Sequence, residues 1–250
     1  MNTEIPETST LSEEDEIAQI LEHLPTETDI SVEVPSKGRT YFAKGGTVDL
    51  KPIHFEDEKA LATGNRGRDF NPANYLLSRC VKNVDVDDLL LIDKIYLLLK
   101  IRQISYGNDY TVAVACNECG AENPLNVEID KLTVKDIPDE TDVFNIPVEL
   151  RQIKKEALVS CPTVAEETYL SGDKVYDNLW RFVKSIGGNN KATVIAKVIK
   201  QLPLVDMHLL VNALSLSKYG LQPEIQYTCD SCQTLNLINL PIDENFFSVS

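Results

Sequence analysis

The sequence predicts an α+β fold, mostly helical, made of two pseudo-repeated halves. Each half is expected to run from strands through helices to a zinc-ribbon-like β-hairpin that carries a Cys-x-x-Cys motif. An internal repeat, two such motifs between strand-like runs, and helical apolar periodicity ahead of each motif lead to this prediction. The 250 residues are 43% hydrophobic and 25% charged, which is typical of globular proteins and excludes wholesale disorder.

Residues 1–29 are predicted to form an acidic arm, because they contain nine Asp and Glu residues and no Lys or Arg. Ser12 followed by Asp15 indicates the start of a short amphipathic helix. The apolar stripe of this helix consists of Ile17, Ile20, Leu21 and Leu24. We expect a flexible tail with one helix, or else a docking arm whose stripe binds a partner and orders there.

The first repeat is assigned to residues 30–131. Strands are predicted at residues 30–34 and 47–51. Asn71 followed by Pro72 predicts the cap and first turn of a helix. A longer helix starts near Leu89 and is apolar on two adjoining faces, so it should be buried on most sides. Gly107 is expected to end it in the left-handed conformation.

The second repeat is assigned to residues 132–250 and shows the same order of elements. Strands are predicted at residues 147–153 and 157–161, and helices at residues 175–186, 194–202 and 204–217. Pro203 suits the first turn of the last helix. Gly220 is expected to end that helix, as Gly107 ends its counterpart.

A shift of 113 positions places residues 106–130 on residues 219–243 without a gap. Eight of these 25 positions are identical, where chance at ordinary composition gives about one or two. The identical pairs are Tyr106/Tyr219, Gly107/Gly220, Cys116/Cys229, Cys119/Cys232, Asn123/Asn236, Asn126/Asn239, Ile129/Ile242 and Asp130/Asp243. Asp93 and Asp206 coincide at the same offset. The similarity indicates a duplication.

Two cysteines lie at the tip of each predicted hairpin, Cys116 with Cys119 and Cys229 with Cys232. Such a turn directs two thiolates to one point, and two turns supply the four tetrahedral ligands that Zn²⁺ prefers. A pseudo-twofold axis in a duplicated chain would bring the two tips together. We therefore predict one structural Zn²⁺ per chain, because four protein ligands leave no open position for catalysis.

Three other interpretations of the motifs stay open: a thioredoxin-like redox site, two separate metal sites, and a metal-free relic. A redox motif opens a helix after a strand, whereas hairpins flank both motifs here. Two separate sites would need further ligands. His23, His54, His208, Cys80 and Cys161 show no ligand spacing, and the last two are expected to be core thiols.

Composition excludes several function classes. No sequence pattern assembles a nucleophile, a base and an oxyanion donor, so we expect no enzymatic activity. A net charge of −15 repels phosphate backbones and argues against nucleic-acid binding. No stretch approaches the roughly 20 apolar residues of a membrane span. The acidic start is unlike a secretory signal, so we expect an intracellular, reducing setting.

Residues 32–38 (VEVPSKG), Tyr41, residues 48–52 (VDLKP) and residues 57–61 (DEKAL) read as a strand, a turn, a second strand and an acidic helix start. This succession resembles the baseplate hub protein family of T4-like contractile-tailed bacteriophages. Members of that family have a similar PSKG…Y opening and a similar length. The resemblance covers most of residues 30–130 in pattern and less of the second half, and the metal prediction depends on the cysteine spacing alone.

The resemblance implies a virion protein of the phage tail that is assembled in the host cytoplasm and contacts other tail and baseplate hub proteins. Two alternatives remain. One is an assembly chaperone, absent from the mature virion, whose acidic arm shields a tail protein. The other is a zinc-ribbon adaptor protein of another system, against which the net charge argues unless it contacts protein alone.

Overall fold

The computed structural model describes residues 12–20, 22, 30–38, 46–63, 71–170, 172, 174–216, 218–241 and 244–247. Within these ranges the chain is a mixed α+β protein with seven α-helices and eleven short β-strands. The predicted α+β class is confirmed, and the strands are more numerous than the helices but mostly shorter. Leu21, His23, Leu24 and Tyr41, on which sequence predictions rest, lie outside the described residues.

The helices lie along the whole described chain. They are α1 (Glu13–Ile20), α2 (Phe55–Thr63), α3 (Pro72–Cys80), α4 (Leu91–Tyr106), α5 (Lys174–Asn178), α6 (Ala192–Ile199) and α7 (Leu204–Ser215). In the described ranges, no helix combines the length and apolarity needed to cross a membrane.

The strands pair only in antiparallel fashion and form small sheets. They are β1 (Ile30–Glu33), β2 (Thr47–Leu50), β3 (Asp109–Ala115), β4 (Glu122–Glu128), β5 (Thr133–Lys135), β6 (Ile146–Leu150), β7 (Lys155–Val159), β8 (Val183–Ile186), β9 (Gly220–Gln222), β10 (Glu224–Thr228) and β11 (Leu235–Asn239). The pairs β1–β2, β3–β4, β5–β9 and β10–β11 are two-stranded, and β6–β7–β8 is three-stranded.

Helix α1 begins at the predicted cap. The Asp15 amide donates to Ser12 Oγ at 3.2 Å, and the Ser12 amide donates to Asp15 Oδ2 at 3.3 Å. This reciprocal pair satisfies two N–H groups at the helix start. No residue of α1 is buried, and Ile17 and Ile20 are 55% and 78% exposed. The described part of the arm therefore presents its apolar stripe to solvent.

Helix α3 also begins as predicted, since Asn71 Oδ1 accepts a hydrogen bond from the Asn74 amide at 3.2 Å and Pro72 lies in the first turn. Helix α4 buries Leu97 and Ile101 completely and packs against α3 and β9. Gly107 follows α4 with a φ of 91° and a ψ of −177°, so its φ is positive as expected but its ψ is not left-handed.

The end of α7 differs from the prediction. Leu216, with a φ of 45° and a ψ of 33°, takes the left-handed position after the helix, and Gly220 is instead the first residue of β9. A Cβ atom at Gly220 would lie 2.5 Å from Ile92 Cγ1, so β9 passes too close to α4 for any side chain there. The requirement for glycine arises from this close approach and not from a helix end.

The predicted helix at residues 175–186 is wrong in its second half. Helix α5 ends at Asn178, and a 3₁₀ turn (Leu179–Phe182) leads into strand β8. Leu179, Phe182, Val183 and Ile186 are all buried, as the helical periodicity predicted. The same residues reach the core from a turn and a strand, because β8 pairs with β7 and completes the three-stranded sheet.

Two large apolar clusters form the core. The first joins residues distant in the chain, including Val34, Leu97, Cys161 and Phe246. The second lies between the three-stranded sheet and helices α6 and α7. A third and smaller cluster contains Cys116, Tyr227 and Cys229, where the two Cys-x-x-Cys hairpins meet.

Candidate metal centre

Strands β3 and β4 form the first hairpin, and residues 116–119 at its tip are called the first CxxC turn. The Cys116 amide donates to Ala121 O at 2.9 Å, and the Gly120 amide donates to Cys116 O at 2.9 Å. Gly120 has a φ of 72°, which a glycine adopts without strain. These bonds close the turn and direct both thiols to the same side.

Strands β10 and β11 form the second hairpin, with the second CxxC turn at residues 229–232. The Cys229 amide donates to Thr234 O at 3.0 Å, and the Gln233 amide donates to Cys229 O at 2.9 Å. Gln233 has a φ of 58° at the position of Gly120. The strand pairs Ala115↔Glu122 and Thr228↔Leu235 also correspond under the shift of 113 positions.

The two turns lie against each other, and the four predicted ligand atoms converge. The sulfur atoms of Cys116, Cys119, Cys229 and Cys232 all lie within 4.8 Å of one another. Across the two turns, Cys116 Sγ is 3.7 Å from Cys232 Sγ, and Cys119 Sγ is 3.7 Å from Cys229 Sγ. A tetrahedron with Zn–S bonds of about 2.3 Å has S–S edges of about 3.8 Å, so this spacing fits zinc.

The environment lowers the pKa of the first thiol of each turn. Backbone N–H groups of Cys119 and Glu118 hydrogen-bond to the Cys116 sulfur and lower its pKa to about 6. The Cys232 N–H is the main cause of the lowered pKa of Cys229. Donors that favour the thiolate prepare these two sulfurs for a cation.

The pKa of Cys119 moves in the opposite direction. The Ala121 N–H group lowers it, but the neighbouring thiol of Cys232, burial and the thiols of Cys229 and Cys116 together raise it to about 12. Four sulfurs this close cannot all carry a negative charge without a cation. The donor set thus has the chemistry of a metal-thiolate site, in which a bound ion compensates the charge of the thiolates.

Two asparagines form hydrogen bonds between the two hairpins. The amide of Asp230 donates to Asn123 Oδ1 at 2.9 Å, and the amide of Asn117 donates to Asn236 Oδ1 at 3.0 Å. Both asparagines are almost completely buried. Tyr227 adds a further link, because its hydroxyl donates to Ala115 O at 3.3 Å.

The other cysteines and histidines in the described ranges do not join this cluster. Burial raises the pKa of both Cys80 and Cys161 to about 12, as expected for core thiols. Among the described residues, the four cysteines of the two turns are the one group of three or more potential ligands in reach of a common ion. His54 and His208 are outside it, and His23 lies beyond the described residues.

Sequence reasoning did not assign a role to Asn123 and Asn236. A signal was present, because both are identical in the repeat and each stands seven positions after the first cysteine of its motif. Their role depends on the contact between the two hairpins, and this contact cannot be predicted from the sequence of either hairpin alone. Strand periodicity predicts that they face inward, but not that they meet the opposite turn.

Comparison with known proteins identifies a family. The family model described as T4 bacteriophage base plate protein matches residues 26–233 of the chain. The matched segment covers most of the chain and contains both CxxC turns. No curated protein and no solved structure matches.

Proposed function

Because the chain belongs to the T4 bacteriophage base plate protein family, we propose that it is a non-enzymatic structural and assembly protein of the phage tail baseplate hub. The family match over residues 26–233 is the observation that carries this proposal. It confirms the resemblance seen in residues 32–61 at the level of the baseplate. Assignment to the hub, assembly in the host cytoplasm, and contacts with particular tail proteins are parts of the proposal.

The proposed metal is one structural Zn²⁺ per chain, held by Cys116, Cys119, Cys229 and Cys232. The tetrahedral spacing of the four sulfurs supports it, as does the lowered pKa of the first thiol in each turn. With four protein ligands the ion would have no open position for substrate. Its role would be to fasten the two hairpins, which lie more than a hundred residues apart in sequence.

The proposed organisation is an acidic arm at residues 1–29 followed by repeats at residues 30–131 and 132–250. The matching register and turn geometry of the two CxxC hairpins support the duplication. Asp93 and Asp206 support it too, because each is the third residue of a long helix and is completely buried.

Protein–protein contact is the proposed mode of action. In α1, four acidic residues at the helix start precede the exposed Ile17 and Ile20. An amphipathic helix of this kind binds an apolar groove, and its charge favours a basic rim. Within the proposal, the arm engages a neighbouring tail protein.

Mass spectrometry of purified phage particles tests the structural role. A virion component is expected at a fixed copy number, in line with the known baseplate proteins of the same particle. Absence from particles, together with recovery bound to a tail protein from infected cells, would contradict a virion role. The exposed stripe of α1 would then favour the assembly chaperone.

Metal analysis of untagged protein tests the zinc separately. We expect close to one Zn²⁺ per chain, and none in a variant with all four site cysteines changed to serine. A zinc content near zero in the unsubstituted chain would refute the metal site without touching the baseplate assignment.

A further inference from the structure

The contact between the two hairpins contains a reciprocal pair of side chains. We propose that Asn123 and Asn236 are positioning residues that hold the two CxxC turns in register, so that the four thiols converge whether or not a metal is bound. The use of that convergence for zinc rests on the proposed function. The contact itself is a property of the described residues and is testable without metal.

Each asparagine is anchored in its own hairpin. Asn123 Nδ2 donates to Ala121 O at 2.8 Å, two residues before it, and Asn236 Nδ2 donates to Thr234 O at 2.9 Å in the same way. These bonds fix the orientation of both side-chain amides, because the nitrogen faces its own strand. The oxygen of each amide is thereby directed toward the opposite hairpin.

The side-chain oxygen of each asparagine accepts a hydrogen bond from a backbone N–H group of the opposite turn. Asn123 receives the amide of Asp230, and Asn236 receives the amide of Asn117. Asp230 and Asn117 directly follow Cys229 and Cys116, the first cysteine of each turn. Each of these N–H groups belongs to the residue next to a cysteine. A hydrogen bond that fixes the N–H group therefore also restricts the position of the cysteine sulfur.

Burial gives these hydrogen bonds their weight. Asn123 is 2% exposed and Asn236 is 4% exposed, so water has little access to their side-chain amides and does not readily replace their hydrogen bonds. Loss of one amide leaves a backbone N–H of the opposite turn without its acceptor, and these part-buried hydrogen bonds are more costly to lose than exposed ones. Asn236 Nδ2 also lies 3.4 Å from Cys116 Sγ, which adds a donor to that sulfur.

The chain supplies matched controls. Asn126 and Asn239 lie on the same two strands, are also identical in the repeat, and are exposed. Substitution of these residues removes the same chemical group from the same hairpins. It leaves the contact between the turns unchanged.

The first test uses metal-free protein and needs no ligand. Mild oxidation with diamide should produce disulfides across the turns, Cys116–Cys232 or Cys119–Cys229, which are mapped by mass spectrometry of peptides. In Asn123→Ala, Asn236→Ala and the double variant, we expect loss of these disulfides in favour of pairs within one turn. Asn126→Ala and Asn239→Ala should keep the pattern of the unsubstituted chain.

The second test measures metal affinity. Titration with Co²⁺ gives a sulfur-to-cobalt charge-transfer band, and competition with Zn²⁺ gives the zinc affinity. We expect each alanine variant of the pair to bind about 10–100-fold more weakly, as for other residues that orient metal ligands. The control variants should bind with unchanged affinity.

An Asp substitution covers the case in which the alanine variants fail to fold. Asn123→Asp and Asn236→Asp keep an acceptor oxygen for the opposite turn but lose the donor to Ala121 O or Thr234 O, so they should retain part of the disulfides across the turns. Retention of the full pattern of the unsubstituted chain in folded Asp variants would overturn the anchoring role of the Nδ2 donors, and complete loss would overturn the role of the acceptor oxygens.

An unchanged disulfide pattern in the folded double alanine variant would overturn it as well, whatever the metal affinity. If the unsubstituted chain binds neither Co²⁺ nor Zn²⁺ but its cross-turn disulfides depend on the asparagines, the positioning role stands and the zinc site fails. The two failures are therefore distinguishable.

Discussion

Asp93 and Asp206 each accept hydrogen bonds from a turn that lies more than fifty residues earlier in the chain. Asp93, in α4, accepts the amide of Ser36 at 2.9 Å and also the Ser36 hydroxyl. Asp206, in α7, accepts the amides of Gln152 and Ile153 at 3.1 Å each. Both carboxylates are completely buried. Each therefore fixes a hairpin to the start of the longest helix in its half.

Substitution of either aspartate should destabilise the fold. Hydrogen bonds to a charged group contribute about 1.5–3 kcal/mol, and alanine removes the acceptor of the buried Ser36 amide or of the part-buried Gln152 and Ile153 amides. We expect Asp93→Ala and Asp206→Ala each to lower the free energy of unfolding in urea by about 3 kcal/mol. Asp88→Ala is the control, because Asp88 is exposed, and it should change stability by about 0.5 kcal/mol or less. A loss as small as that of the control would show that the turns are held by other contacts.

The equivalence of the two CxxC turns predicts equal effects of equivalent substitutions. Cys116→Ser and Cys229→Ser should each lower the melting temperature of the zinc-loaded protein by a similar amount, because each removes one ligand from a common ion. Calorimetry with parallel zinc analysis measures both effects. Cys80→Ala should keep its zinc, since Cys80 is a core thiol outside the cluster. A large effect at one turn alone would favour separate roles for the two pairs.

Zinc binding should weaken on acidification. The metal needs thiolates, so protons compete with it, and the retained fraction should decrease continuously as pH falls. Without metal, the lowered pKa of Cys116, about 6, makes this thiolate a stabilising group above the ordinary thiol pKa. That contribution is lost as the pH falls through about 6. A colorimetric chelator can follow zinc release between pH 8 and pH 5. Release that does not depend on pH would be incompatible with thiolate ligands.

Gly220 should tolerate no side chain. Gly220→Ala combines a φ of 73° with a Cβ that would lie 2.5 Å from Ile92 Cγ1. Gly188→Ala provides the comparison, because Gly188 has a φ of 79° and nothing within 4 Å of the added atom. Gly188→Ala should cost about 1 kcal/mol of conformational strain, and Gly220→Ala about 1–3 kcal/mol more. Urea unfolding measures the difference. Equal losses would mean that β9 moves away from α4 at little cost.

Lys94 is the buried partner of an ion pair that joins α4 to the chain before α5. Its Nζ lies 2.6 Å from Glu167 Oε2 and 2.6 Å from Asn74 Oδ1. Removal of one partner of a buried pair typically costs 3–5 kcal/mol, and Glu167 is partly exposed, so we expect Lys94→Met to cost about 3 kcal/mol. The exposed pair Lys131–Glu128 has the same 2.6 Å distance.

This exposed pair is the control for Lys94. Lys131→Met should cost about 1 kcal/mol or less, because water screens the interaction. Both variants are measured by urea unfolding at low and moderate salt. Similar losses at the two positions would show that burial of Lys94 adds nothing.

Local patterns allowed much of the fold to be predicted. The cap at Asn71, the capping pair of Ser12 and Asp15, and the β-hairpins at both motifs follow from short-range chemistry. The convergence of the four cysteines was also predictable, because the two turns are similar in sequence and tetrahedral coordination favours four ligands.

The wrong predictions share one physical reason. Helical periodicity over residues 175–186 correctly marked Leu179 and Ile186 as buried. It missed the competing pairing of β8 with β7, which is a tertiary interaction. Gly220 was assigned to a helix end by analogy with Gly107, whereas its neighbour is Ile92, far away in sequence. Each error lies where a distant segment decides the local conformation.

The junction of the two CxxC turns has a consequence for the order of folding. Its partners are separated by more than a hundred residues, so it belongs to the slow, non-local events of folding. On the ribosome, the first hairpin is complete long before Cys232 is synthesised. A chain interrupted anywhere in between would carry an unmatched hairpin, with Asn123 and its thiols lacking their counterparts. Closure of the junction thus requires translation through the second hairpin, and a chain that stops before Asn236 cannot form it.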